Sequence, residues 1–246
     1  MNNDPLGTSN PWPAPAKLNL FLHIVGRRAD GYHLLQTAFQ FINLCDQLHF
    51  YQRPAGVIER VSGADGVLPE NDLVIRAARL LTSVAGKSAG VAIELIKHIP
   101  MQAGLGGGSS DAATTLVALN QLWSLGLGVD QLAELGLKLG ADVPVFVRGR
   151  AAWAEGVGEI LTPLELPEPW FLVIQPPVSV STAEVFQSSE LTRDTPVTTI
   201  RAFRAGEGRN DCAKAVCSRY PQVLQALEWL GQYAEARLTG TGACIF

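Results

Sequence analysis

Residues 100–113 read PMQAGLGGGSSDAA, four glycines within five positions, with the apolar run GVAIELIKHIP before them and SSDAATTLVALNQLW after them. The first run reads as a strand that Pro100 ends, and the second as a helix. Bare backbone directly before a helix exposes unpaired N–H groups at the positive end of the helix dipole, where an anion is held by geometry and charge together. Glycines let the chain wrap that anion without side-chain collision. Ser109 and Ser110 either cap the helix or add hydroxyl donors to a phosphate or a metal-bound water. The run therefore predicts a polyphosphate cradle, with a flexible turn and two capping serines as the plain alternative. It is not a P-loop, since no GK[ST] follows. It also fits a dinucleotide fingerprint badly, because its strand comes late in the chain and no acidic residue is clearly placed for a ribose.

The rest of the chain sets this loop in a mixed fold. From Pro15, AKLNLFLHIV alternates: Lys17, Asn19, Phe21 and His23 fall on one face of a strand, Leu18, Leu20, Leu22 and Ile24 on the other. GRRADGYH reads as a turn, LLQTAFQFI and DQLHFYQ as two further strands, and NDLVIRAARLLTSVAG as a capped helix stopping at Gly86. VDQLAELGLKLG continues the helical part. Farther on, EILTPLEL and WFLVIQP read as strands, TAEVFQ and the region from Asn210 to Tyr233 as helices, and a domain boundary is expected near residues 157–168.

With 246 residues, 47% hydrophobic, the chain can bury one large core or two modest ones. Its formal net charge of -4 gives no basic field for neutralising nucleic-acid phosphates. Cys45, Cys212, Cys217 and Cys244 show no CxxC spacing and read as reduced thiols, not as a zinc site or a disulfide framework. No apolar run reaches the roughly 18 residues of a membrane helix, and the first residues lack a signal pattern. A cytoplasmic protein with a frayed tail over residues 1–12 is expected. The sequence stops inside GACIF, which reads as a strand still entering a core, so a further carboxy-terminal piece is expected as well.

Taken in order, PAKLNLFL, RADGYHLLQT, PMQAGLGGGSSDAA, LGADVPVFVRG and LTGTGACIF resemble the GHMP kinase superfamily from Pro13 to Phe246. The resemblance is nearest to those members that phosphorylate a cytidine diphosphate derivative of methylerythritol at its 2-hydroxyl. It implies an α+β fold of two domains: residues 1–157 like the second domain of ribosomal protein S5, and residues 158–246 a ferredoxin-like substrate domain, incomplete at its end. It also implies ATP along Pro100, Met101, Gln102, Ala103, Gly104, Leu105, Gly106, Gly107, Gly108, Ser109 and Ser110, with Mg2+ accompanying the phosphates. The expected partner is a small molecule, with neither nucleic acid nor membrane, in a monomer or weak homodimer.

By the same resemblance Asp142 is the catalytic base and Lys17 its cationic partner, while Asn19 reaches the same cleft. The residues alone leave rivals open, since Asp142 also suits a helix N-cap before Pro144 and Lys17 a solvated lysine. Tyr32 and His33 would hold cytosine by stacking and by hydrogen bonds to the base edge. Phe186 would supply the opposite ring face, with Thr182 nearby. As a hairpin aromatic and a core aromatic, Tyr32 and Phe186 are equally ordinary. Gly240 and Gly242 form either a tight turn toward the substrate phosphates or a plain bend. Asp111 is a puzzle, because a carboxylate in the first helical turn repels a triphosphate unless it points away or meets Mg2+. The rival functions are a mevalonate- or homoserine-type kinase, a degenerate nucleotide binder, and an RNA-binding module of the same fold.

Overall fold

The computed structural model describes residues 10–63, 66–86 and 89–246, and the fold is mixed α+β. Strand β1 (Trp12–Arg27) leads through the Asp30-Gly31 turn into β2 (His33–Arg53), with which it pairs. β3 (Ile58–Ser62), helix α1 (Leu73–Ala85) and β4 (Gly90–Ile96) follow. Then come α2 (Gly107–Leu122), α3 (Val129–Leu137) and α4 (Val143–Arg148). β5 (Ala152–Glu155), β6 (Ile160–Pro163), α5 (Thr182–Gln187), α6 (Ile200–Arg204), α7 (Ala213–Arg219) and α8 (Pro221–Leu230) complete the order. The tail expected over residues 1–12 lies outside the described residues as far as residue 9, and Trp12 already belongs to β1.

The chain forms two compact units. One takes the chain up to Ala16, Asn43–Ile99 and Gly106–Gly149; the other takes Lys17–Ile42, Pro100–Leu105 and Arg150–Phe246. In the first, the far half of β2 runs antiparallel to β4, from Gln47 opposite Ile96 to Arg53 opposite Gly90, and β3 lies parallel to β4. Helix α1 packs on α2, and α4 packs on both α2 and α3. Asp72 caps α1 by accepting from the Val74 and Ile75 amides, and Gly86 ends it in the left-handed region at φ 61°. Leu81, Ile93, Leu116 and Leu119 are fully buried in this unit.

In the second unit the near half of β2 pairs antiparallel with β5, Thr37 opposite Ala154, and β5 pairs with β6. Both faces of β1 are buried here. Phe21 packs with Ala38, Trp153 and Leu164, while Leu22 and Ile24 join Val185, Val216, Val223 and Ile245 in a second cluster. Removing a ring such as that of Phe21 costs about 3–5 kcal/mol. The two strands expected across residues 34–52 are one continuous strand, because the polar interruption at Asp46 is satisfied by its neighbours and does not turn the chain. WFLVIQP and GACIF are not strands but single bridges, Ile174 to Ile245 and Leu238 to Ile245. No described helix is long and apolar enough to cross a membrane.

Candidate active site

Lys17 and Asn19 share the face of β1 that carries Phe21, and each is 3% exposed. A lysine buried this deeply needs acceptors, and it finds two within its unit: the Asn19 Oδ1 atom and the Gly104 carbonyl, at 2.9 Å from the latter. The Phe39 ring lies 5.6 Å from the ammonium, within cation–π range. Asn19 is fixed in turn, its Nδ2 donating to Thr37 Oγ1 at 2.9 Å and its backbone amide to Thr239 Oγ1 at 2.9 Å. The solvated-lysine reading is thereby overturned, since surrounding polar groups replace the water that a lysine normally keeps.

The glycine run does two separate jobs. Gly104 sits at φ 77°, and a Cβ there would lie 2.2 Å from the Thr239 carbonyl, so the bare backbone at this position serves the close approach of the 239–242 turn. That turn is tight, the Gly242 amide donating to the Thr239 carbonyl at 2.9 Å, and Asn210 braces it by donating to the Leu238 and Gly240 carbonyls. Helix α2 begins at Gly107, with Gly106 as a left-handed N-cap and no side-chain cap bond. The helix thus starts earlier than the SSDAA reading placed it, and Ser109 and Ser110 lie in its first turn. Neither caps it. Ser110 is fully buried and its Oγ has no hydrogen-bond partner. Gly108 is exposed, and a Cβ there would meet only Leu73 Cδ1, at 3.7 Å.

Asp111 resolves its puzzle by turning inward. It is 2% exposed and pairs with Lys97 Nζ at 2.9 Å; Lys97 also contacts Asp46. Asp46 accepts from the His98 and Ile99 amides at 2.5 and 2.8 Å, so one buried carboxylate fixes the exit of β4 ahead of the glycine run. Burial, opposed by Lys97 and reinforced by Asp46, pushes the Asp111 carboxyl up to about 7. A group that shares its ammonium with another carboxylate and turns away from the helix mouth does not face an anion there.

Asp142 stands at the N-cap position of α4, half-buried, at φ -81° and ψ -14°. Its side chain makes no cap hydrogen bond, so it does not do the capping work that its position suggests. The preceding turn lies beside the first turn of α2: a Cβ on Gly140 would be 3.8 Å from Ser109 Oγ. Within one unit the LGADVP segment and the helix mouth are therefore neighbours.

In the other unit His33 and Phe186 are stacked, ring centroids 5.0 Å apart and planes 20° from parallel. Tyr32, next to His33, is 65% exposed. A base between two rings needs them roughly 7 Å apart, two contact distances, so none fits between His33 and Phe186. The hydroxyls of Thr182 and Thr241 meet at 2.8 Å. Arg193 was not singled out in the sequence, yet it joins this group. Its guanidinium donates to His33 Nε2 and to the Phe186, Ser188 and Leu191 carbonyls. The Asp46–Lys97 pair was missed as well; an aspartate interrupting an apolar strand was the available signal for it. Among the described residues no group of three or more His, Cys, Asp or Glu side chains could hold a metal ion, and all four cysteines are free.

Comparison with known proteins places this arrangement. The family model described as GHMP kinases N terminal domain matches residues 72–150. A 4-diphosphocytidyl-2-C-methyl-D-erythritol kinase of Nitrosococcus oceani is 63% identical over 235 residues, 96% of this chain and 84% of that one. The protein of the same name from Pseudomonas aeruginosa is 58% identical over 95% of this chain and 83% of its own. A crystal structure of a 4-(cytidine 5'-diphospho)-2C-methyl-D-erythritol kinase is similar at a TM-score of 0.79 and 35% identity, covering 96% of this chain and 88% of that one. A homoserine kinase structure from Cytophaga hutchinsonii, at a TM-score of 0.66 and 19% identity over 100% of this chain and 86% of its own, shares the fold. The chain belongs to the GHMP kinases and, within them, to the family of the 4-diphosphocytidyl-2-C-methyl-D-erythritol kinases.

Proposed function

We propose that this chain transfers the γ-phosphoryl group of ATP to the 2-hydroxyl of 4-diphosphocytidyl-2-C-methyl-D-erythritol. The observation that carries the reading is the identity of 63% over 96% of the chain with a protein named for that activity. In this reading residues 1–157 carry the ATP-binding fold of the ribosomal protein S5 type, and residues 158–246 a ferredoxin-like substrate fold.

ATP lies along residues 100–110, its phosphates at the mouth of α2, where the open side of Gly108 and the uncapped first turn favour an anion. Mg2+, arriving with the nucleotide, supplies charge neutralisation on the phosphates. The buried, unpartnered Ser110 hydroxyl is the protein group that fits it or a phosphate oxygen. Asp142 takes the proton of the acceptor hydroxyl as the new oxygen–phosphorus bond forms and the bond from the γ-phosphorus to the ADP oxygen breaks. Lys17, held by Asn19 and Gly104, contributes a fixed positive charge to the transferring group.

Cytosine is stacked between Tyr32 and the part of the Phe186 ring beside His33, with His33 bonding its edge and Thr182 close by. A base stacked on an aromatic ring is worth about 1–3 kcal/mol. Tyr32→Ala and Phe186→Ala should therefore each raise KM for the cytidylyl substrate by about 5- to 150-fold with KM for ATP unchanged. Unchanged affinity for the cytidylyl compound in both variants removes the substrate assignment.

A further inference from the structure

A guanidinium offers five N–H donors and no acceptor, and it stays charged throughout the working pH range. Any nitrogen that hydrogen-bonds to it must therefore be the unprotonated one. Arg193 Nε lies 3.3 Å from His33 Nε2, which assigns the lone pair to Nε2 and the ring proton to Nδ1. The guanidinium is not free to turn aside. Nη1 donates to the Leu191 carbonyl at 3.1 Å, and Nη2 donates to the Phe186 and Ser188 carbonyls at 2.9 and 2.7 Å. The imidazole is held as well, its face stacked on Phe186.

The charged side chains acting on the ring are Arg193 and Arg27, both cationic. Of the carboxylates on this and the adjoining elements, Asp30 is paired with Arg28 at 2.7 Å and Glu184 with Arg219 at 2.8 Å, while Glu190 and Asp194 are exposed in the segment that carries Arg193. Burial first, then the two arginines, hold the imidazole below its ordinary value.

We propose that Arg193 is a positioning residue that locks His33 in the Nδ1–H tautomer and so makes the substrate site select cytosine over uracil; this rests on the kinase reading above. The two bases differ at N3, a bare acceptor in cytosine and a protonated donor in uracil. A histidine free to exchange tautomers presents donor or acceptor to suit either base. With Nδ1 always a donor, His33 bonds N3 of cytosine and opposes the N3–H of uracil with a second donor.

The test has two arms. With 15N-histidine in the full chain, and the His33 signals assigned by their loss in His33→Gln, long-range proton–nitrogen correlations report which ring nitrogen bears the proton. The wild type should show Nδ1–H, and Arg193→Gln a mixture. Kinetically, the ratio of kcat/KM for the cytidylyl compound to that for its uridylyl analogue should fall about tenfold in Arg193→Gln at pH 8. It should recover below about pH 6, where imidazolium carries both protons, while the wild-type ratio stays flat. Arg193→Lys, whose ammonium likewise only donates, should restore the ratio. A residue that merely anchors the 186–191 segment would depress both substrates alike and leave the ratio unchanged. That result, or an Nε2–H tautomer in the wild type, overturns the proposal. If the wild type phosphorylates neither compound, it is the kinase reading that fails. The ratio of dissociation constants for CDP and UDP, measured with the ATP site filled by ADP, then decides the tautomer proposal by the same criterion.

Discussion

Lys17 Nζ donates to the carbonyl of Gly104 at 2.9 Å, which ties the first strand to the start of the glycine run through one buried ammonium. Lys17→Met removes the charge while keeping most of the volume. Turnover should fall about 10²- to 10³-fold, the usual loss when one charge-stabilising donor is removed. Stability should fall by about 1–3 kcal/mol as buried acceptors lose their donor. Initial rates and urea unfolding measure both, and a kcat within twofold of wild type would contradict the role.

Two glycines of the same run should respond in opposite ways. Gly104→Ala forces a Cβ against the Thr239 carbonyl from a left-handed backbone, and denaturant unfolding should show a loss of at least about 1–3 kcal/mol. Gly108→Ala fills open space inside a helix and should hold or raise Tm, since alanine is favoured there by about 0.5–1 kcal/mol. Its added methyl should nonetheless raise KM for ATP. A Gly108→Ala variant with unaltered ATP affinity would place the phosphates elsewhere.

Asp111, raised to about 7, binds its proton more firmly in the folded chain than in the unfolded chain, where a carboxyl titrates near 3.9. The stability it contributes is therefore complete below about pH 4 and is lost as pH rises through 7. Asp111→Asn removes that dependence, so the variant's Tm relative to wild type should climb between about pH 4 and 7.5. Asp46→Ala behaves differently. It strips acceptors from the His98 and Ile99 amides and should cost about 3–5 kcal/mol at neutral pH.

Much of this was legible in the sequence because local rules acted alone. Period-two alternation marked β1, a capping residue at the front and a stopping glycine bounded α1, and GLGGGSS marked the start of α2. What escaped depended on partners remote in the chain. From the residues alone Lys17 suited a solvated lysine as well as a cleft cation, because its acceptors at Asn19 and Gly104 meet it only after folding. The chain looked broken between LLQTAFQFI and DQLHFYQ, ahead of Asp46, because the amides that Asp46 serves lie 52 and 53 residues away. Arg193, in a stretch without periodicity, gave no signal at all, since its worth lies in three carbonyls and one imidazole nitrogen. WFLVIQP failed the other way: its apolar, β-branched content fits a strand, but only Ile174 finds a bridging partner.

The most direct test is ADP formation from ATP and Mg2+ with 4-diphosphocytidyl-2-C-methyl-D-erythritol, mevalonate and homoserine offered separately, beside an Asp142→Asn control. Turnover should appear with the cytidylyl compound alone and fall about 10²- to 10⁴-fold in the control, the range expected for loss of a general base. Turnover with mevalonate or homoserine in its place, or a control as active as wild type, would contradict the account.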